Sequence, residues 1–227
     1  GCATRQAARP IDAKTDDLIR TLALLDTLLS YRLSDLLMFS EQTYLRQIEL
    51  YNQWLFPLQI AAYIYGVLCL LGFTKPFNKL ALLLFIVGGL CYLLVSYGFV
   101  WQYYAGINPL AVYLVAVLVI QGLIFILLGI NKQTSLSLAD KPGHRNIGIL
   151  LWLIALGAYP AIEGLGGRPL SQFSSFALSP DTLAMSSIAL MLMFRLPGWL
   201  LLPAALYLLT SVLTLAAMNS WWLLLPL

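Results

Sequence analysis

INPLAVYLVAVLVIQGLIFILLGI, residues 107–130, carries no charged side chain and only two amides, Asn108 and Gln121. A helix needs about 20 mostly apolar residues to cross a hydrocarbon layer about 30 Å thick, and this run supplies them. Proline suits a first helical turn, where its missing N–H has no partner to lose, so Asn108-Pro109 opens the span and Ile130 closes it.

The neighbouring runs read the same way. Upstream, one span covers about Trp54–Phe73, with Trp54 as an interfacial anchor. A turn at Lys75, Pro76 and Lys79 leads to a second, from about Leu80 to Trp101, that ends in Trp101, Tyr103 and Tyr104. Downstream, the polar loop 131–145 precedes a span over about Asn146–Ile162, and Trp199–Met218 forms another. Between these last two lies GLGGRPLSQFSSFALSPDT, 164–182, mixed and long for a bundle connection. The apolar core that follows, residues 183–194, has only a dozen residues. That length fits a re-entrant or tilted segment as well as a marginal span running from Ser179 to Pro197. The fold class is all-α: a polytopic transmembrane helical bundle of six membrane segments. The tail WWLLLPL, 221–227, either ends at the interface or begins a seventh.

Composition agrees. The chain is 60% hydrophobic and 10% charged, with a mean hydropathy of +0.84, whereas soluble domains carry roughly 25% charged residues. The lipid bilayer is therefore the expected partner, and 227 residues leave no room for a separate soluble enzyme. Residues 1–50 form a polar arm ahead of a membrane domain over 51–227. Within the arm Leu18, Leu22, Leu25, Leu29, Leu33 and Leu36 recur at helical spacing, the pattern of an amphipathic helix. Gly1-Cys2 resembles the end of a lipoprotein cleavage box, but no signal sequence accompanies it.

Lysine and arginine set the orientation. With six spans, Lys75, Lys79, Lys132, Lys141, Arg145 and Arg195 share one side, and the opposite loops hold only Arg168. The first side is expected to be cytoplasmic and the N-terminus extracytoplasmic.

Several chemistries lack their residues. Cys2, Cys69 and Cys91 make no metal-ligand spacing, and the lone His144 is expected in a loop, whereas a helix-bound haem usually needs histidine within the spans. Phosphate-binding glycine loops and basic-aromatic nucleic-acid patches are missing as well. No cofactor, no metal and no nucleic acid is expected, and no nucleophile–base pair points to an enzyme.

Two acids stand out. Glu163 ends the fourth span, where a carboxylate opposes the helix dipole and needs a partner. Arg168 could supply it across a glycine turn. Glu163 reads either as an ordinary span ending, with Gly164 as C-cap, or as a cation or proton site at the outer mouth. Ser179-Pro180-Asp181-Thr182 has the residues of a helix start: N-cap, N1 proline, first-turn acid. The same Ser179, Asp181 and Thr182 could also line a half-helix binding site. Asn52, Gln59, Asn108 and Gln121 are expected to hydrogen-bond between helices.

FSEQ (39–42), YNQWLFPLQ (51–59), INPLAVYLVAVLVIQG (107–122), AYP (158–160) and SPDT (179–182) together resemble an uncharacterised family of bacterial polytopic membrane proteins, some of them labelled permeases. The resemblance spans about 39–222 and implies a compact helical bundle in the bacterial inner membrane. It implies no activity. Phe56-Pro57 stands where the family has Trp-Pro, and Ser179-Pro180-Asp181-Thr182 where it has Cys-Pro-Thr-Thr. The expected role is a non-catalytic accessory or scaffold subunit, partnered by other membrane subunits or by copies of itself. The alternative is a small-molecule or ion permease whose path is lined by Glu163, Arg168, Ser179, Asp181 and Thr182.

Overall fold

Ser40 starts the first helix of the computed structural model, its Oγ accepting the Thr43 N–H at 3.2 Å. The structure describes residues 39–73, 78–131, 142–194 and 196–218. The amphipathic helix of the arm, Cys2, most of the 131–145 loop and the tail at 221–227 lie outside them, as do Lys75 and Arg195.

From Ser40, α1 runs Glu41–Gly72 and contains Pro57. The span expected from Trp54 thus belongs to a longer helix, because no strong breaker intervenes between the Ser40 cap and Pro57. α2 covers Asn78–Val95 and continues through a wide π-helical stretch, Ser96–Tyr104. α3 is Ala111–Ile130. It starts two residues after Pro109 because the Asn108 side chain caps a preceding turn, its Oδ1 accepting the Leu110 N–H at 3.1 Å. α4 runs Pro142–Leu165 and widens into a π-helical turn at Ile154–Ala158. α5 is Pro180–Met193, and α6, Leu202–Ala217, follows a 3-10 turn at Gly198–Leu201. No strand occurs among the described residues.

Five helical stretches are long and apolar enough to cross a membrane: Glu41–Leu70, Leu82–Tyr104, Ala111–Ile130, Pro142–Leu165 and Gly198–Ala217. Their exposed faces are apolar, as with Trp54, Ile60, Ile64 and Leu68 on α1 and Ile120, Leu123 and Leu127 on α3. So much exposed apolar surface suits lipid rather than water. α5 is different. Its 14 residues reach about 21 Å at 1.5 Å each, short of a full crossing, and all of them except Ile188 and Leu192 are buried. A helix apolar on every face belongs inside the protein.

Small residues bring the helices together. A β-carbon on Gly122 would lie 3.0 Å from the Gly89 carbonyl oxygen, and one on Gly129 would lie 2.7 Å from that of Leu82. Ser96 Oγ donates to the Val115 carbonyl at 3.1 Å. α2 and α3 therefore pack antiparallel at nearly backbone distance, as small residues allow in membranes. Gly148 does the same for α4 against α5, beside Ala189 and Met193.

Candidate functional site

The chain leaves α4 at Gly166, turns at Gly167 (φ +82°), makes a short 3-10 turn over Leu170–Gln172 and then enters the protein. The fourth span therefore ends at Leu165 with Gly166 as C-cap, rather than at Ile162 with Gly164. From Ser174 to Ser187 every residue is buried. Its first part is irregular backbone, which membrane proteins tolerate only where protein or a cavity surrounds it.

Local hydrogen bonds shape this re-entrant segment, in which the chain turns back into the protein from the end of α4. The Ser175 carbonyl accepts the Ser179 N–H at 2.9 Å and the Thr182 hydroxyl at 2.7 Å. Ala177 lies between them at φ 55°, a left-handed conformation that crowds a β-carbon. Phe176, at the turn, packs edge-on against Trp152 with ring centroids 5.1 Å apart. Gly66 makes room for that ring, since a β-carbon there would lie 2.7 Å from Phe176 Cε1. Trp152 Nε1 completes the lock by donating to the Gly66 carbonyl at 3.1 Å. Nearer the chain entry, Asn52 Nδ2 donates to the carbonyls of Ser171 and Phe173 at 2.9 and 2.8 Å, and Tyr51 donates to that of Leu178 at 2.9 Å.

Glu163 is 1% exposed and fully engaged. Oε1 accepts from Arg168 Nη1 and from Ser174 Oγ, both at 2.9 Å, and Oε2 accepts the Ser174 N–H at 2.6 Å. The expected Arg168 partnership is present, but buried: the two side chains are 7% and 1% exposed. Charge-assisted hydrogen bonds of this kind are the strong ones, so Glu163 clamps the entry of the re-entrant segment to the end of α4.

Asp181 is the other buried acid, 6% exposed. Tyr159 donates to Oδ2 over a long 3.4 Å, and Ser211 of α6 lies close to the carboxylate. Oδ1 has no hydrogen-bond partner in the protein. Asp181 also lines a chamber of about 10 Å³, together with Ser174, Ser179 and Pro180 and the side chains of Tyr44, Ile48, Tyr51 and Phe99. Ser179 holds the N-cap position, as expected, yet its side chain makes no capping hydrogen bond. Thr182 does not share that freedom, because its hydroxyl is committed to the Ser175 and Ser179 carbonyls.

The four amides divide. Asn52 ties α1 to the re-entrant segment rather than to another helix. Gln59 bonds within α1, donating to Asn52 Oδ1 at 2.9 Å. Asn108 bonds locally, with Nδ2 donating to the Tyr104 hydroxyl at 3.0 Å. Gln121 is fully buried in α3, and neither of its amide atoms finds a partner. For Gln59 and Asn108 the bonds seen lie within their own stretch of chain, where acceptors are closest. A larger apolar cavity of about 460 Å³ opens between α1 and α2, walled by Leu58, Ala62, Tyr65, Leu90, Cys91 and Leu178.

Sequence reading groups Glu163, Arg168, Ser179, Asp181 and Thr182, and the fold brings all five to the re-entrant segment. It does not single out Ser174, Tyr44, Gly66 or Ser211. The available signal is the Ser174-Ser175 pair, set between apolar neighbours just ahead of Ser179-Pro180-Asp181. No group of His, Cys, Asp and Glu suited to hold a metal ion is present among the described residues.

No curated protein matches the chain, and no solved structure does. A family of unknown function, DUF6064, matches residues 41–225, from the first residue of α1 past the end of α6. The chain belongs to that family.

Proposed function

We propose that this is a multi-pass membrane protein of permease type, which binds a small solute at the re-entrant segment, rather than a scaffold subunit. The observation that carries the reading is the buried run Ser174–Ser187, which combines irregular backbone, a helix start inside the protein and a carboxylate with an unpartnered oxygen. Membrane solute sites are often made in this way, from interrupted helices whose ends face the ligand. A scaffold subunit needs no such arrangement, and burying an unsatisfied carboxylate oxygen costs stability. In an inner membrane with the basic loops inside, the entry of the segment would lie toward the extracytoplasmic face, on the side of Glu163 and the α4 end.

The test is a ligand screen on purified protein in nanodiscs, against amino acids, sugars, organic acids and amines. The reading expects at least one class to raise the unfolding temperature in a saturable way, as any ligand bound only by the folded state must. Stoichiometric co-purification of a second chain, with no compound in the panel binding, would overturn it in favour of a scaffold.

A further inference from the structure

Asp181 is a buried carboxylate with no counter-charge at ion-pair distance among the described residues. Glu163 holds Arg168 at 2.9 Å, and Arg168 acts on Asp181 only from further away. The first turn of α5 steadies the charged form, since the positive end of a helix dipole favours an anion. Burial works the other way, because taking up a proton removes the cost of a charge held away from water. Opposed terms of this kind leave both forms within reach. Oδ1, which has no partner in the protein, is the oxygen on which a proton can sit.

A second chamber of about 10 Å³ leads to this carboxylate from the other side. It is lined by Tyr44, Tyr104, Tyr207, Thr210, Ser211 and Thr214, with Leu114 as the one apolar residue. Its volume is about one water-sized sphere, enough for a single buried water among such partners. Thr210 and Thr214 donate to carbonyls of α6, so the tyrosines and Ser211 are the groups left to pass a proton on. Ser211 joins this chamber to Asp181 by hydrogen bonding to its carboxylate, and Tyr44 lines both chambers. At the far side, Tyr104 accepts from Asn108 Nδ2 at 3.0 Å, which leaves its own O–H to donate elsewhere. Asn108 is half-buried in the turn between α2 and α3, next to the exposed Pro109. Groups that both donate and accept thus run in series from that turn to Asp181.

We propose that Asp181 is a proton-binding site, loaded from the α2–α3 turn through the Tyr104 hydroxyl, a water in the second chamber and Ser211. A proton entering at the turn is passed along by exchange. Each hydroxyl or water accepts one proton and gives up another, and the carboxylate of Asp181 ends as a neutral carboxyl. The titratable and charged groups that act on Asp181 are Tyr44 of α1, Tyr159, Glu163 and Arg168 of α4 and its exit, and Tyr207 of α6. Tyr104, at the end of α2, faces it across the second chamber. Glu163 is held by Arg168 and Ser174, whereas Asp181 keeps an unpartnered oxygen. This deepens the solute-binding reading by giving the carrier a coupling proton, and the site takes up that proton without solute.

The experiment uses the full chain in nanodiscs and the proton itself as the probe, read by infrared difference spectra as the pH is lowered. The wild type should gain one protonated-carboxyl band that Asp181→Asn lacks. Should that variant fail to fold, Ser211→Ala identifies the band, because losing a hydrogen bond to the carboxyl shifts its frequency. After a rapid drop in pH, Tyr104→Phe should slow the rise of this band by about tenfold or more, as loss of a positioned proton-transfer group does. Its final amplitude should stay the same, which a merely structural role for Tyr104 does not predict. Identical carboxyl bands in wild type and Asp181→Asn would overturn the proposal, as would a band that never titrates. An unchanged rate in Tyr104→Phe would overturn it too, by removing the path. All of these readings are taken without solute, so their failure leaves the screen above free to stand, and a failed screen leaves the proton site in place.

Discussion

The backbone N–H of Ser174 donates to Glu163 Oε2 at 2.6 Å, across eleven residues of sequence. With the Ser174 hydroxyl and Arg168 on the other oxygen, this bond turns the end of α4 into the anchor of the re-entrant segment. Glu163 and Asp181 therefore have opposite consequences when they are neutralised.

Glu163→Gln removes the negative charge from the buried ion pair with Arg168. Breaking a buried ion pair from one side costs about 3–5 kcal/mol, so the variant should unfold well below the wild-type temperature in mild detergent. Changing both residues, Glu163→Gln with Arg168→Met, should recover part of the loss. Thermal unfolding followed by size-exclusion chromatography measures both.

Asp181→Asn removes a charge from a place where one oxygen has no partner. Without ligand, its unfolding temperature should equal or exceed that of the wild type, because a neutral amide costs less to bury than a carboxylate. A fall comparable to that of Glu163→Gln would mean that Asp181 holds the fold together.

Gly66 should be intolerant of side chains. A methyl group there would sit 2.6 Å from Leu156 Cδ1 and 2.7 Å from the Phe176 ring, and overpacking of this kind costs about 1–3 kcal/mol. Gly66→Val should destabilise the protein and expose the 166–179 segment to protease, and Phe176→Leu in the same chain should relieve the part of the clash that involves the ring. Protease-cleavage rates of the wild type, Gly66→Val, Phe176→Leu and the double variant test the pairing.

Gln121→Leu should be neutral or stabilising. Both amide atoms are buried and unpartnered, and an unsatisfied buried polar group carries a penalty of about 1–3 kcal/mol. Clear destabilisation, read by thermal unfolding, would show that the amide has a partner, such as bound water or solute, in the working protein.

The helical class and the positions of most long apolar helices are legible in the sequence because apolar run length is what crossing lipid physically requires. The 107–130 run and the observed helix Ala111–Ile130 differ only by the turn that Asn108 caps. Where α1 begins is harder to read, since a polar helical turn before a span looks like a separate arm. The grouping of Glu163, Arg168, Ser179, Asp181 and Thr182 is legible because charges and helix-start residues are scarce here. Their division of labour is not. That Thr182 is committed to Ser175, that Ser179 does not cap, and that Ser174 binds Glu163 all depend on how 164–179 folds back, and no periodic signal marks an irregular segment. Gly66 is equally silent, because its role exists only once Phe176 reaches it.

The most direct measurement is the ligand screen repeated on wild type and Asp181→Asn side by side, with Gln121→Leu, a buried polar residue outside the chamber lining, as a control. The account predicts saturable stabilisation by a solute class in the wild type and in Gln121→Leu, and its loss in an Asp181→Asn protein that elutes and unfolds normally. Equal stabilisation in wild type and Asp181→Asn would contradict it.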